Sequence, residues 1–120
     1  MKNWINLPDD YVSWSRAAYR KAEKLCKTRN VDIVFTTLPP FSAALIGYKL
    51  KKKFNIPWVV DYRDLWHGDV LREWVGPIRG AYELRLEKKM IKRADTVISV
   101  SEQTTAFLKR LHSGSKAHWE

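Results

Sequence analysis

The apolar residues of this chain fall into two spacings, one typical of helices and one typical of buried strands. Helical spacing predicts four helices, at about residues 10–29, 43–54, 78–94 and 102–112. Short runs rich in β-branched and aromatic residues predict three strands, at residues 31–37, 57–61 and 95–100. The middle run, Trp58-Val59-Val60, shows no polar alternation, which indicates a strand buried on both faces.

Two of these helices carry apolar lines that we expect to face a core. In the first helix the line is formed by Trp14, Ala18, Ala22, Leu25 and Cys26. In the third helix it is formed by Tyr82, Leu86, Met90 and Ala94. Cys26 is therefore expected to be a buried thiol, and a single cysteine cannot form an internal disulfide.

The alternation of helices and strands predicts the fold class. Strands separated by helices imply right-handed crossovers and a parallel sheet. We therefore expect an α/β fold, a three-layer, Rossmann-like open parallel sheet with helices on both faces. The 120 residues are enough for one domain, and three strands would make a small sheet.

A cluster of charged and aromatic residues directly follows the second predicted strand. It reads Asp61-Tyr62-Arg63-Asp64-Leu65-Trp66, and ligands of open α/β sheets bind outside the carboxyl ends of the strands. Asp61 could accept hydrogen bonds from sugar hydroxyls, or act as a general base if its pKa were raised. Arg63 could clamp a phosphate or carboxylate, and Trp66 could stack on a ring. The alternative is an ion pair of Arg63 with Asp61 or Asp64 that only fixes the loop.

The loops after the other two strands are expected at the same edge. Pro39-Pro40 ends the first strand, and Ser42 is a favourable N-cap for the next helix. The free N–H groups of that helix start could bind an anion, or the segment could be a plain strand-to-helix turn. Ser101 and Glu102 follow the third strand, where they could bind polar ligands or simply cap the fourth helix.

Net charge adds a question about partners. The chain has 22 Lys+Arg against 13 Asp+Glu, a formal charge of +9, and residues 49–53 include four lysines. Such a balance suggests nucleic acid, an anionic membrane or phosphorylated ligands, although it could equally be an ordinary solvated surface.

Several kinds of site have no support in the sequence. The 5 glycines do not have the spacing of a dinucleotide-binding or P-loop motif. The three histidines, His67, His112 and His118, lack metal-ligand spacing with Cys26, so no metal site is predicted. His67 is expected to be a surface residue. No run approaches the roughly 18 apolar residues of a transmembrane helix.

Three segments together resemble the amino-terminal domain of family 4 glycosyltransferases, which have the two-domain GT-B architecture. The segments run from Asp32 to Ala43, from Ile56 to Trp66 and from Arg93 to Glu102. They contain Thr-Leu-Pro-Pro-Phe-Ser, Pro-Trp-Val-Val-Asp-Tyr-Arg-Asp-Leu-Trp and Ala-Asp-Thr-Val-Ile-Ser-Val-Ser-Glu. The resemblance covers most of residues 9–112, and the motifs are specific as a set rather than singly.

This resemblance implies a function. In the family the amino-terminal half holds the acceptor and the carboxyl-terminal half binds the nucleotide sugar. Transfer occurs between them with retention of anomeric configuration, usually without a metal, so no cofactor is expected beyond the nucleotide-sugar co-substrate. Carried over to this chain, the catalytic candidates are Asp61 and Arg63. The substrate-binding candidates are Pro40, Ser42, Tyr62, Asp64, Trp66, Ser101 and Glu102.

The resemblance also predicts partners and a location. The acceptor would be a glycan or a lipid-linked glycan. The protein would be cytoplasmic, with peripheral contact between its basic surface and the anionic inner face of the membrane.

The match departs from the family pattern in three ways. The family's first strand and glycine-containing loop would precede residue 1, and its carboxyl-terminal nucleotide-sugar domain would follow residue 120. We therefore expect residues 1–120 to be a partial amino-terminal domain, with a core at about 9–112, that is inactive by itself. Where many members carry a histidine after the second strand, this chain has residues 61–64 of the charged cluster, so no catalytic histidine is assigned.

Two non-catalytic alternatives remain open at this point. One is a basic α/β module that binds nucleic acid, and the other is an assembly fragment that binds an anionic membrane or a partner chain. Nucleic acid is the less expected partner, because the aromatic residues are not interleaved with the lysines as base-stacking platforms require.

Overall fold

A computed structural model describes residues 8–67 and 76–120 of the chain. Within these residues, helices and strands alternate as the sequence predicts. The helices are α1 (Val12–Thr28), α2 (Ala43–Phe54), α3 (Pro77–Ile91) and α4 (Glu102–Leu111). The strands are β1 (Val34–Leu38), β2 (Trp58–Tyr62), β3 (Thr96–Ser99) and β4 (His118–Trp119).

The strands of the described residues form one parallel sheet in the order β1-β2-β3-β4. The predicted Rossmann-like α/β fold is confirmed. β4 is an addition that the sequence did not predict, because only two residues, His118 and Trp119, pair with β3. So short a segment has no periodicity to recognise.

The direction of the crossovers decides which face of the sheet is covered. Every strand pairs with the one before it in the chain, so right-handed connections carry α2, α3 and α4 to the same face. The core on that face includes Trp58 and Val60 of β2, Val97 of β3 and Leu108 of α4. The second helical layer that the sequence predicts is not among the described elements, since α1 packs on α2.

Residues on the opposite face alternate with the core residues along each strand. Phe35 is 56% exposed there, and Val59 and Ile98 are only partly buried. In the described residues this face of the sheet is therefore open.

Helix α2 lies unusually close to the sheet at one glycine. A Cβ atom on Gly47 would lie 2.0 Å from Nε1 of Trp58, so only glycine lets the helix approach the fully buried indole. That Nε1 donates a hydrogen bond of 2.9 Å to Oγ1 of Thr36 on β1. The close approach thus ties α2 to the first two strands.

Two predicted helix faces differ from those observed. Trp14 and Leu25 of α1 are 49% and 43% exposed, because α1 buries Val12 and Ser15 instead. In α3, Tyr82 is 52% exposed while the buried side chains are Arg79, Glu83, Glu87, Met90 and Ile91. The buried face of α3 is therefore rotated relative to the predicted face, because it includes the carboxylates of Glu83 and Glu87.

Candidate functional site

The carboxyl ends of three strands lie side by side. Leu38 of β1 pairs with Tyr62 of β2, and Tyr62 pairs with Ser99 of β3. The backbone N–H of Arg63 extends the ladder by donating to the Leu38 carbonyl at 2.9 Å. The three loops that carry the candidate residues therefore leave the sheet from one edge, as predicted.

Asp61 and Arg63 form the ion pair at the centre of this edge. Arg63 Nε donates to Oδ2 of Asp61 at 2.8 Å, and Thr37 Oγ1 donates to the same oxygen at 3.4 Å. The Asp61 side chain is 6% exposed, whereas that of Arg63 is 65% exposed. The loop-fixing ion pair considered for the sequence is thus present between these two residues.

The contacts of the Asp61–Arg63 pair use only some of its hydrogen-bonding atoms. Both hydrogen bonds reach Oδ2, so Oδ1 of Asp61 has no hydrogen-bond partner among residues 8–67 and 76–120. Likewise, Arg63 uses only Nε, and its two η amino groups have no partner in the same ranges. One carboxylate oxygen and two amino groups remain able to bind a ligand.

The loop after β1 is closed by a carboxylate of the chain itself. Asp9 Oδ2 accepts the backbone N–H of Ser42 at 3.0 Å, and its Oδ1 accepts the Ser42 hydroxyl. Ser42 is fully buried and makes no side-chain cap of its own. Asp9 therefore fills the anion position predicted at the start of α2, and the structure does not present Ser42 to a substrate.

Tyr62 and Trp66 are also enclosed. Tyr62 is fully buried, and its hydroxyl donates to Oε1 of Glu87 at 2.8 Å. Trp66 is 1% exposed and stacks on Phe41, with ring centroids 5.1 Å apart at 19°. The predicted stacking of Trp66 on a substrate ring is corrected to stacking within the protein, because its faces are covered.

The other candidates lie at the rim of the edge. Asp64 is exposed, Pro40 is half-buried, and Glu102 is exposed in the first turn of α4. Ser101 caps α4, since its Oγ accepts the Thr104 N–H at 3.2 Å. Capping, one of the two alternatives for Ser101, is therefore observed.

A buried polar cluster under this edge was missed from the sequence. Glu87 of α3 is fully buried and contacts Tyr62, His67 and His112. The prediction that His67 is a surface residue is wrong, because its side chain is 20% exposed and its Nδ1 contacts Oε2 of Glu87. The only local signal is that Glu83 and Glu87 fall on the same helical line as Met90.

Charge in this cluster is set by competing effects. Burial alone would raise the pKa of Glu87, but hydrogen bonds from His112, His67 and Tyr62 outweigh it, so this pKa lies below its usual value of 4.5. Burial raises the pKa of Tyr62 well above 10.0, and the neighbouring Glu87 charge adds to the effect. Tyr62 therefore remains a hydrogen-bond donor, and Glu87 is a carboxylate at neutral pH.

Across residues 8–67 and 76–120, no group of three or more His, Cys, Asp or Glu side chains is arranged to hold a metal ion. No helix within the same ranges has the length and apolar character needed to cross a bilayer.

The motifs that line the sheet edge agree with a comparison against known protein families. The glycosyl transferase 4-like domain matches residues 4–119. The chain belongs to this family. As a glycosyl transferase 4-like domain, the chain takes part in glycosyl transfer in general, which requires binding of a sugar acceptor. A comparison with curated proteins finds no match.

Proposed function

We propose that this chain forms the acceptor-binding side of a retaining glycosyltransferase of GT-B architecture. Residues 1–120 would be part of the amino-terminal domain, and a separate carboxyl-terminal domain would bind the nucleotide sugar. The sugar would pass to a glycan or lipid-linked acceptor in the cleft between them. The family match and the position of the Asp61–Arg63 pair at the carboxyl edge support this proposal.

The main support for this proposal is that the Asp61–Arg63 pair keeps hydrogen-bonding atoms available for a ligand. Oδ1 of Asp61 is a fixed acceptor, held in place because Oδ2 is bonded to Arg63 and Thr37. Such an oxygen can accept a hydrogen bond from an acceptor hydroxyl and orient it toward the donor sugar. The η amino groups of Arg63 can bind a phosphate of a lipid-linked acceptor. Asp64, Pro40 and Glu102 would line the rim.

The test is the variant Asp61→Asn in the intact protein, assayed for transfer from nucleotide sugars. Asparagine keeps the shape but removes the carboxylate charge, so we expect turnover to fall about 100-fold or more while the thermal midpoint changes little. Glu23→Gln is the matched control, because Glu23 forms an exposed ion pair with Lys53 on α1 and α2. Near-normal turnover of Asp61→Asn would refute the assigned role.

The stereochemical part of the proposal has its own measurement. Proton NMR of the first product formed would show the same anomeric configuration as the donor sugar if the enzyme retains it. The inverted anomer as the initial product would refute retention while leaving glycosyl transfer intact. The isolated 120 residues should show no transfer, because the proposed donor site lies in another domain.

Membrane contact is proposed for helix α1. Trp14 and Leu25 of this helix are exposed, as is Tyr11 just before it, and exposed cations such as Lys21 and Lys24 accompany them. Aromatic and basic residues together favour the surface of an anionic membrane, here the cytoplasmic face. Sedimentation with phosphatidylserine vesicles should exceed that with phosphatidylcholine vesicles and fall with salt. Equal binding to both would contradict an electrostatic contribution.

A further inference from the structure

Glu87 joins three parts of the chain that are far apart in sequence. Its Oε1 lies 2.8 Å from the Tyr62 hydroxyl and 3.2 Å from Nε2 of His112, and its Oε2 contacts Nδ1 of His67. Tyr62 ends β2, His67 lies in the loop beyond it, and His112 follows α4. Because Glu87 is fully buried, its contacts with Tyr62 and His112 are shielded from water, and its contact with His67 is partly shielded.

The hydrogen-bond directions within this cluster can be assigned. His112 Nδ1 is buried with no partner in the described ranges, so the proton of this ring belongs on Nε2, facing Glu87. His67 Nε2 lies 3.3 Å from the Gly80 carbonyl, which only accepts, so both ring nitrogens of His67 face acceptors. Tyr62 and His112 therefore donate to Oε1 of Glu87, and His67 donates to Oε2 when its proton is on Nδ1.

Two of these donors, Tyr62 and His67, stand at the two ends of segment 62–67, which begins directly after Asp61. Tyr62 directly follows Asp61, and His67 closes the segment 62–67. Between them, Trp66 stacks on Phe41 at 5.1 Å on one side and approaches the His67 ring at 6.2 Å. The two ends of the segment are therefore fixed, while Arg63 and Asp64 between them stay exposed.

We propose that Glu87 is a positioning residue for the acceptor site: by anchoring Tyr62 and His67 it fixes segment 62–67 and thereby holds Arg63 beside Asp61. Glu87 does not touch the substrate. Its effect on transfer rests on the proposed function, whereas its effect on the loop does not. Displacement of a site by about 1 Å can lower turnover about 100-fold, so the anchoring has kinetic consequences.

The chain offers a matched pair of histidine substitutions. Asparagine places its amide where Nδ1 of histidine lies, and glutamine places its amide where Nε2 lies. His67→Asn therefore keeps a donor to Glu87, whereas His67→Gln loses it. At His112 the order is reversed, because Nε2 makes the contact: His112→Gln keeps the donor and His112→Asn loses it.

Steady-state kinetics of the intact protein separate positioning from stability. We expect His67→Gln to raise the KM for the acceptor about tenfold, with His67→Asn restoring it to within about threefold. His112→Asn removes the hydrogen bond that His112, just after α4, donates to Glu87. It should lower the thermal midpoint but leave the KM for the acceptor unchanged. Equal KM values for His67→Gln and His67→Asn, or a KM rise in His112→Asn as large as in His67→Gln, would overturn the proposal.

Amide hydrogen exchange of the same intact protein tests the anchoring without activity. We expect at least tenfold faster exchange of the Arg63 amide, which donates to the Leu38 carbonyl, in Glu87→Leu and His67→Gln than in the wild type, with His67→Asn close to the wild type. Unchanged exchange in Glu87→Leu and His67→Gln would refute the inference even if transfer is detected. Wild-type protein that transfers no sugar would refute the proposed function, and exchange would still decide the role of Glu87.

Discussion

Gly47→Ala tests the close packing between α2 and the sheet. The added methyl carbon would lie 2.0 Å from Nε1, 2.3 Å from Cε2 and 2.7 Å from Cδ1 of Trp58. Non-bonded heavy atoms rest about 3.5 Å apart, so the indole or the helix must move by about 1.5 Å. Trp58 is fully buried between the helix and the strands, so the movement must disturb the core.

The expected magnitude follows from three contributions. Overpacking a core costs about 1–3 kcal/mol, and loss of the 2.9 Å bond from Trp58 to Thr36 costs about 1 kcal/mol more. Replacing glycine by alanine inside a helix returns about 1 kcal/mol. The net result is a loss of about 2 kcal/mol in the free energy of unfolding.

Urea denaturation followed by tryptophan fluorescence measures this loss. With a slope of about 1.5 kcal/mol per molar urea, the midpoint of Gly47→Ala should fall by about 1.3 M. Gly114→Ala is the control, because nothing lies within 4 Å of a Cβ atom there, and its midpoint should stay within about 0.3 M of the wild type. A midpoint for Gly47→Ala equal to or above that of the wild type would refute the packing argument.

Three other substitutions test contacts at the sheet edge and beneath it. Folding lowers the pKa of Glu87, so its carboxylate stabilises the protein above about pH 4.5 and loses that effect as the pH falls through the folded pKa. The difference in free energy of unfolding between wild type and Glu87→Gln, measured in urea, should therefore shrink from pH 6 to pH 3. A constant difference would contradict this. Ser101→Ala should cost about 1 kcal/mol by removing the acceptor for the Thr104 N–H, and Ser101→Asp should restore it in thermal melts. Asp9→Ala should cost about 2 kcal/mol in chemical denaturation, because it uncaps α2 and leaves the buried Ser42 hydroxyl without its partner; an unchanged midpoint would show that another group replaces it.

Local patterns predicted the elements well. Helix α2 was predicted at its observed bounds, and β2 is shifted by one residue at each end, because a proline, an apolar run and turn residues mark their ends. The shared sheet edge also followed from the alternation of strands and helices. Chain order and crossover handedness are sufficient to place the ends of parallel strands together.

The side-chain roles at that edge were harder to predict. Ser42 bonds to Asp9, 33 residues earlier, and Glu87 bonds to Tyr62 and His112, each 25 residues away. Periodicity treats a glutamate or a histidine as solvent-facing, whereas partners brought by the fold can satisfy it in the core. The sequence therefore identified the candidate loop but not which of its side chains are enclosed.

The sheet order has a consequence for folding during synthesis. Each strand pairs with its predecessor, so β1, α2 and β2 can associate before α3 leaves the ribosome, and each later strand finds its template already formed. Pairing of consecutive strands also keeps contacts short in sequence for a parallel sheet, which favours faster folding. Glu87 can bind Tyr62 and His67 once α3 has packed on the sheet, whereas its contact with His112 forms last, because His112 lies 25 residues further along the chain.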